Sequence, residues 1–275
     1  MDKTESSPDR VNWRSVILYY FLACAISWPF FWWRDMEEQS WAAWEAPSLI
    51  KTLTYMGGPA VAAVICLLLF RPTHERTITL AGSSAVRSLA FYLIPIMALC
   101  VAYYPEIASG NTSKLLINLV IGAFVVTVGE ELGWRGFLQD ALRRLPKMTR
   151  YALIGVMWEL WHFTNRTHEG PLAGAIIRVL IFMMVLSILS WIIGEAVERS
   201  KSVTVAVSLH VWVNILVSVG LLFEASPTRG YAVFAASIVL WIYLLRSWPN
   251  SERTVAHPAE YEPPQRPAKS MRADA

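Results

Sequence analysis

Charge is what this chain has least of: Asp, Glu, Lys and Arg make up 16% of its 275 residues. So sparse a charged set cannot cover the surface of a water-soluble domain, in which about a quarter of the residues are ordinarily charged. The formal net charge is +3, too small to argue for nucleic acid as a partner. Cysteine is scarce too. Cys24, Cys66 and Cys100 each fall inside an apolar run, where thiols act as small buried hydrophobes rather than as a disulfide or metal framework. Also absent are a His-Glu-x-x-His zinc signature, a Gly-x-Ser-x-Gly elbow, an obvious intramembrane Ser/Lys or Ser/His pair and a phosphate-cradling loop.

What fills the space is apolar: 55% hydrophobic residues, 13 Trp and a mean hydropathy of +0.40 mark an integral membrane protein. Residues 16–31, 58–70, 91–103, 115–128, 151–163, 176–193, 203–223 and 231–245 form runs near the length that carries a helix across a ~30 Å hydrocarbon core. The expected fold is all-α, a polytopic membrane helix bundle with about eight transmembrane helices. The first run lacks a small-residue cleavage pattern and reads as a retained anchor. Most of the Trp excess, such as Trp32, Trp33, Trp41 and Trp44, suits an interfacial belt.

Basic residues concentrate in alternate loops: Lys3, Arg10 and Arg14; Arg71, Arg76 and Arg87; Arg143, Arg144, Lys147 and Arg150; Arg199 and Lys201; and Arg246 onward. The positive-inside rule then puts both termini in the cytoplasm. We expect a cytoplasmic N-terminal segment (1–13), a transmembrane domain (14–248) with its functional core at about 115–223, and a disordered tail (249–275) whose Pro, Glu and Arg cannot bury a core.

A few ionisable or strongly polar groups interrupt the apolar runs. Glu130, Glu131 and Arg135, then His162, then His210 and Asn214 lie at membrane depth, where a charge costs roughly 2.5 to 3.5 kcal/mol on insertion scales and marks function by default. A helical hairpin turning near Pro146 puts Glu130 and His162 at equal distances from the turn, hence at one depth. His210 and Asn214 lie roughly 14 to 20 Å above the cytoplasmic end of their run, which overlaps that depth. Glu131/Arg135, Trp158/His162 and His210/Asn214 are i,i+4 pairs on single helix faces. Glu130 points about 100° away from Glu131, so Glu131 is assigned to an ion pair with Arg135 and Glu130 is left for chemistry. A second hairpin, turning around His168 to Gly170, is expected to bring Glu159 level with Arg178 as a structural ion pair.

Carboxylate, imidazole and carboxamide at one depth suit hydrolysis of an amide. A glutamate beside a histidine can accept a proton from water, and a histidine and an amide on one face can donate to an oxyanion. Interhelical polar glue, a non-proteolytic scaffold and a proton-coupled transporter use similar groups and stay open as alternatives.

The segment Gly129-Glu-Glu-Leu-Gly-Trp-Arg-Gly136, with Trp158-x-x-x-His162 and His210-x-x-x-Asn214, resembles the CPBP family of CAAX prenyl endopeptidases and bacteriocin-processing or immunity (Abi) proteins. Glu130, Glu131 and Arg135 match its Glu-Glu-x-x-x-Arg motif, and Trp158 stands where the family usually has Phe. The resemblance implies an intramembrane protease in a bacterial cell membrane. Its catalytic set is Glu130 and His162 activating water and His210 and Asn214 holding the oxyanion, with Glu131, Arg135 and Trp158 in support. A metal-free glutamate mechanism without cofactor is preferred; zinc on Glu130, His162 and His210 is the alternative. Its expected partners are membrane lipid and a peptide or lipidated protein substrate.

Overall fold

The computed structural model of the protein describes residues 10–36, 46–71, 76–110, 124–163, 171–218, 223 and 226–249. The expected N-terminal segment, the tail and most of the run at 115–128 lie outside them. The described elements are helices: α1 (Trp13–Met36), α2 (Ala46–Leu69), α3 (Ala85–Ala102), a short α4 (Tyr104–Ala108), α5 (124–141), α6 (Lys147–His162), α7 (Leu172–Ser200), α8 (Val203–Ser218) and α9 (Pro227–Arg246). Among the described residues the only β-type pairing is an isolated parallel bridge between Thr79 and Ser202.

Three of these helices, α3, α7 and α9, are long and apolar enough to cross a membrane. Apolar side chains such as Ile177, Leu180, Ile181, Met184 and Val185 stay exposed along α7, an apolar exterior that only lipid or another apolar partner can cover. Among the described residues the expectation of eight spans is met only in part. The stretch Tyr55–Leu69 of α2 and Val203–Asn214 of α8 are apolar but shorter. α5 and α6 carry Glu130, Glu131, Arg135, Asp140, Arg150 and Glu159, all buried, so the groups that form the interior lower the hydropathy of the helices that hold them.

α1 packs on α2, α6 on α7, and α3 on both α8 and α9. These contacts produce two apolar clusters. One joins Phe91, Leu99, Val205, Val211, Trp212 and Trp241; the other joins Tyr19, Tyr55, Cys66, Trp134, Phe137 and Trp158. α5 sends Phe124 into the first and Val126, Trp134 and Phe137 into the second. It is the post between two cores, and its remaining face looks onto the seam where they meet.

The loops with the basic residues gather at one end of the bundle. Lys147 meets Glu195 at 3.1 Å, Arg150 and Lys201 both reach Glu198, Arg199 Nη2 donates to the Arg246 carbonyl, and Trp248 Nε1 donates to Ser83 Oγ. A strap before α3 closes this end. Thr79 N donates to the Lys201 carbonyl and Val203 N to the Thr79 carbonyl, while Lys201, at φ 56°, turns the chain from α7 into α8. Asp140, at the end of α5, accepts from Thr77 N and Oγ1 at 2.6 Å each and from Ile78 N at 3.2 Å.

The α6–α7 register differs from the sequence expectation. Cβ atoms at Gly155 and Gly194 would fall against Ser187 and the Tyr151 ring respectively. By helix rise that register sets the backbone of Glu159 roughly one and a half to two turns beyond that of Arg178 along α7. Glu159 is buried and Arg178 exposed.

Candidate active site

Glycine puts the two glutamates inside. A Cβ at Gly133 would lie 2.4 Å from Pro59 Cβ and 2.5 Å from the Tyr19 hydroxyl, and one at Gly129 would lie 3.1 Å from the Met56 carbonyl oxygen. α5 therefore approaches α2 closely on both sides of Glu130 and Glu131, as small residues permit in membrane bundles. The next stretch, Trp134–Gln139, is π-helical, a widened turn that recurs at functional sites. It points Arg135 and Gln139 at α7, where Arg135 Nη2 lies 3.4 Å from Ser190 Oγ and Gln139 Nε2 donates to the Gly194 carbonyl at 3.1 Å.

Neighbouring helices then converge on α5. Trp158 of α6 donates its indole hydrogen to Glu130 Oε2 at 2.8 Å. Its ring lies under the Arg135 guanidinium at 4.7 Å and against the edge of His210 at 4.9 Å between centroids. Glu131 Oε1 accepts from Arg135 Nη1 at 3.2 Å and from His210 Nδ1 of α8 at 2.8 Å. One turn away, Asn214 Nδ2 donates to Thr127 Oγ1 at 3.3 Å. Glu130, Glu131, Arg135, Thr127 and His210 are all buried. Such groups persist in an apolar interior only where charge partners and hydrogen bonds balance them.

Both histidines present the same nitrogen. His162 Nδ1 lies 3.0 Å from the Trp158 carbonyl; a carbonyl can only accept, so Nδ1 carries the hydrogen and the neutral ring keeps a lone pair on Nε2. His210 Nδ1 faces a carboxylate in the same way. Its Nε2 is a base when the ring is neutral and a donor when the ring is charged.

The spacing-based residues thus gather around Trp158: its indole holds Glu130, its ring meets Arg135 and His210, and its carbonyl takes His162 Nδ1. Glu131 joins Arg135 as expected but also holds His210, a contact that spacing within single helices does not reveal. Thr127 and Ser190 were missed as well. Thr127 had one available signal, its i,i+4 spacing to Glu131. Among the described residues no group of three or more His, Cys, Asp or Glu side chains is disposed to hold a metal.

Comparison with known proteins adds the family. Residues 112–216, which include all three motifs, match the model described as Type II CAAX prenyl endopeptidase Rce1-like. Over 93 residues the chain is 29% identical to CAAX prenyl protease 2 of Methanococcus maripaludis, a stretch covering 31% of this chain and 34% of that protein. The match spans about a third of that relative's length. These similarities group the motif-bearing segment with the CPBP-family proteases, as its resemblance implied.

Proposed function

We propose that the protein is an intramembrane endopeptidase that hydrolyses a peptide bond near the C-terminus of a membrane-associated substrate, of which a prenylated Cys-a-a-X peptide is the model. The observation that carries this reading is the convergence of α5, α6 and α8 on one buried cluster at the seam of the two cores, through Glu130–Trp158 and Glu131–His210. In this reading Glu130, assisted by His162, takes a proton from water as the water oxygen attacks the scissile carbonyl. His210 and Asn214 donate to the oxyanion. His210 does so through Nε2 as the imidazolium, whose charge Glu131 balances; with both glutamates ionised, Arg135 and His210 then leave the cluster neutral. The proton passes to the leaving nitrogen, the C–N bond breaks and the glutamate is restored.

No metal enters these steps. The remaining apolar helices are read as crossing the bilayer beside α3, α7 and α9, giving about eight spans, with both termini cytoplasmic. The partners in this reading are lipid and a lipidated or peptide substrate.

The test is cleavage of a fluorogenic farnesylated Cys-a-a-X peptide by the full chain in lipid nanodiscs, with the product mass mapping the cut bond. Cleavage that Glu130→Gln abolishes, in a variant that remains inserted and folded, is the expected result. Wild-type turnover by Glu130→Gln would remove the general-base assignment. Failure of the wild-type chain to cut either this peptide or an unprenylated one would favour a non-proteolytic role.

A further inference from the structure

We infer that Thr127 is a positioning residue that fixes the carboxamide of Asn214, one of the two oxyanion donors; the inference rests on the peptidase reading above. Two polar rungs join α5 to α8. Glu131 holds His210 at 2.8 Å, and one turn back along α5 and one turn on along α8, Thr127 holds Asn214 at 3.3 Å. The helices run antiparallel here, so a four-residue step on one matches a four-residue step on the other. Each oxyanion donor is therefore seated on an oxygen acceptor from the same face of α5.

A carboxamide needs such a seat more than an imidazole does. Its terminal torsion is broad and roughly two-fold, so the plane and end of the amide are set by what it bonds. Nδ2 carries two hydrogens. With one given to Thr127 Oγ1, the amide plane is fixed and the other hydrogen keeps a single direction, which is the pre-organisation an oxyanion donor requires. Thr127 itself is fully buried, on the helix that sends Phe124 and Val126 into the two apolar cores, so a valine there removes the acceptor and keeps the shape. A threonine inside a helix more often bonds its own backbone; a role limited to that would leave turnover alone.

The experiment uses the full chain in nanodiscs and the farnesylated Cys-a-a-X peptide, with Thr127→Val, Thr127→Ser, Asn214→Ala and the Val/Ala double variant. Thr127→Val is expected to lose about ten- to hundredfold in kcat with KM unchanged. Thr127→Ser, which keeps the oxygen, is expected to stay near wild type. The double variant should be no worse than Asn214→Ala, as for two members of one device. Wild-type kcat in Thr127→Val with Asn214→Ala impaired overturns the inference, as does a loss in Thr127→Ser equal to that in Thr127→Val. Wild-type turnover in Asn214→Ala overturns the oxyanion reading and this inference with it. Thr127→Ala replaces the valine variant if that one does not fold. Should the peptide not be cut by the wild-type chain, structures of the valine and serine variants decide. An Asn214 amide turned in the first and retained in the second supports the assignment, and an unchanged amide in both overturns it.

Discussion

Trp158 donates its indole hydrogen to Glu130 Oε2 at 2.8 Å, and the same ring contacts Arg135 and His210. One side chain thus ties the proposed base to the cation and to one of the proposed oxyanion donors. The ring contacts need only an aromatic face, whereas the bond to Glu130 needs the N–H. Trp158→Phe is therefore expected to fold normally and to lose about tenfold or more in kcat, because the carboxylate is freed to move by a fraction of an ångström. Replacement of the indole by its sulfur isostere, benzothienylalanine, should reproduce the phenylalanine result. Full activity in both would show that Glu130 is oriented by something else.

Glu130 and Glu131 are neighbours with opposite expectations. Glu130→Gln should remain folded and be inactive. Glu131→Gln takes the countercharge from Arg135, which is wholly buried and whose Nη1 meets Glu131 Oε1 at 3.2 Å, and also from His210. Losing one partner of a buried pair costs about 3 to 5 kcal/mol, so this variant should give low folded yield in detergent and a lowered melting temperature. Equal stability of the two variants would mean that Arg135 is balanced without Glu131.

The contrast also shows what spacing could and could not reveal. The hairpin at Pro146 was legible because a proline fixes a short turn and helix rise is constant: Trp158 against Glu130 and Trp161 against Trp134 bracket the register counted from it. Rules of the i,i+4 kind say which residues share a face but not what that face meets, so Glu131 was paired with Arg135 on its own helix and its bond to His210 was missed. The height counted for Glu159 against Arg178 shifts for a related reason. The register of α6 on α7 is set by the contact of Gly155 with Ser187, which a count from the middle of the intervening sequence does not capture. Hydropathy, finally, scores a helix alone. It marks down α5 for the very charges that α6, α7 and α8 compensate.

The donor arrangement bears on metal dependence. With the Nδ1 atoms of His162 and His210 both hydrogen-bonded, each ring has its Nε2 for the reaction, which as proposed runs on Glu130 and water without a metal. Prolonged treatment with a strong chelator should leave peptide cleavage intact, and metal analysis of the purified protein should find no stoichiometric zinc. Loss of activity on chelation that added zinc restores would replace the glutamate mechanism with a metal-assisted one.

Helix contact in the second core sets a purely structural expectation. A Cβ at Gly155 would lie 2.4 Å from Ser187 Cα and 2.6 Å from its backbone nitrogen, and backbone cannot swing aside as a side chain can. Gly155→Ala should force α6 and α7 apart and destabilise by about 1 to 3 kcal/mol, read as a lower melting temperature in nanodiscs. An unchanged melting temperature would mean that the two helices separate without cost.

Asp140 offers a test of the strap that is independent of catalysis. Its carboxylate takes three hydrogen bonds from Thr77 and Ile78, and the strap in turn pairs Thr79 with Lys201 and Val203 at the start of α8. Asp140→Ala would leave the buried Ile78 N–H without this acceptor, and stranded donors of that kind cost about 1 to 3 kcal/mol each. Glu130 lies ten residues back along α5, roughly 15 Å from this end by helix rise, so the loss should appear as lower thermal stability and faster proteolysis between residues 76 and 84, with turnover at room temperature little changed. Asp140→Asn keeps one acceptor oxygen and should fall between the two. A strap that resists protease equally in all three proteins would mean that its pairing with Lys201 and Val203 is sufficient to hold it and that Asp140 is dispensable to the closed end of the bundle.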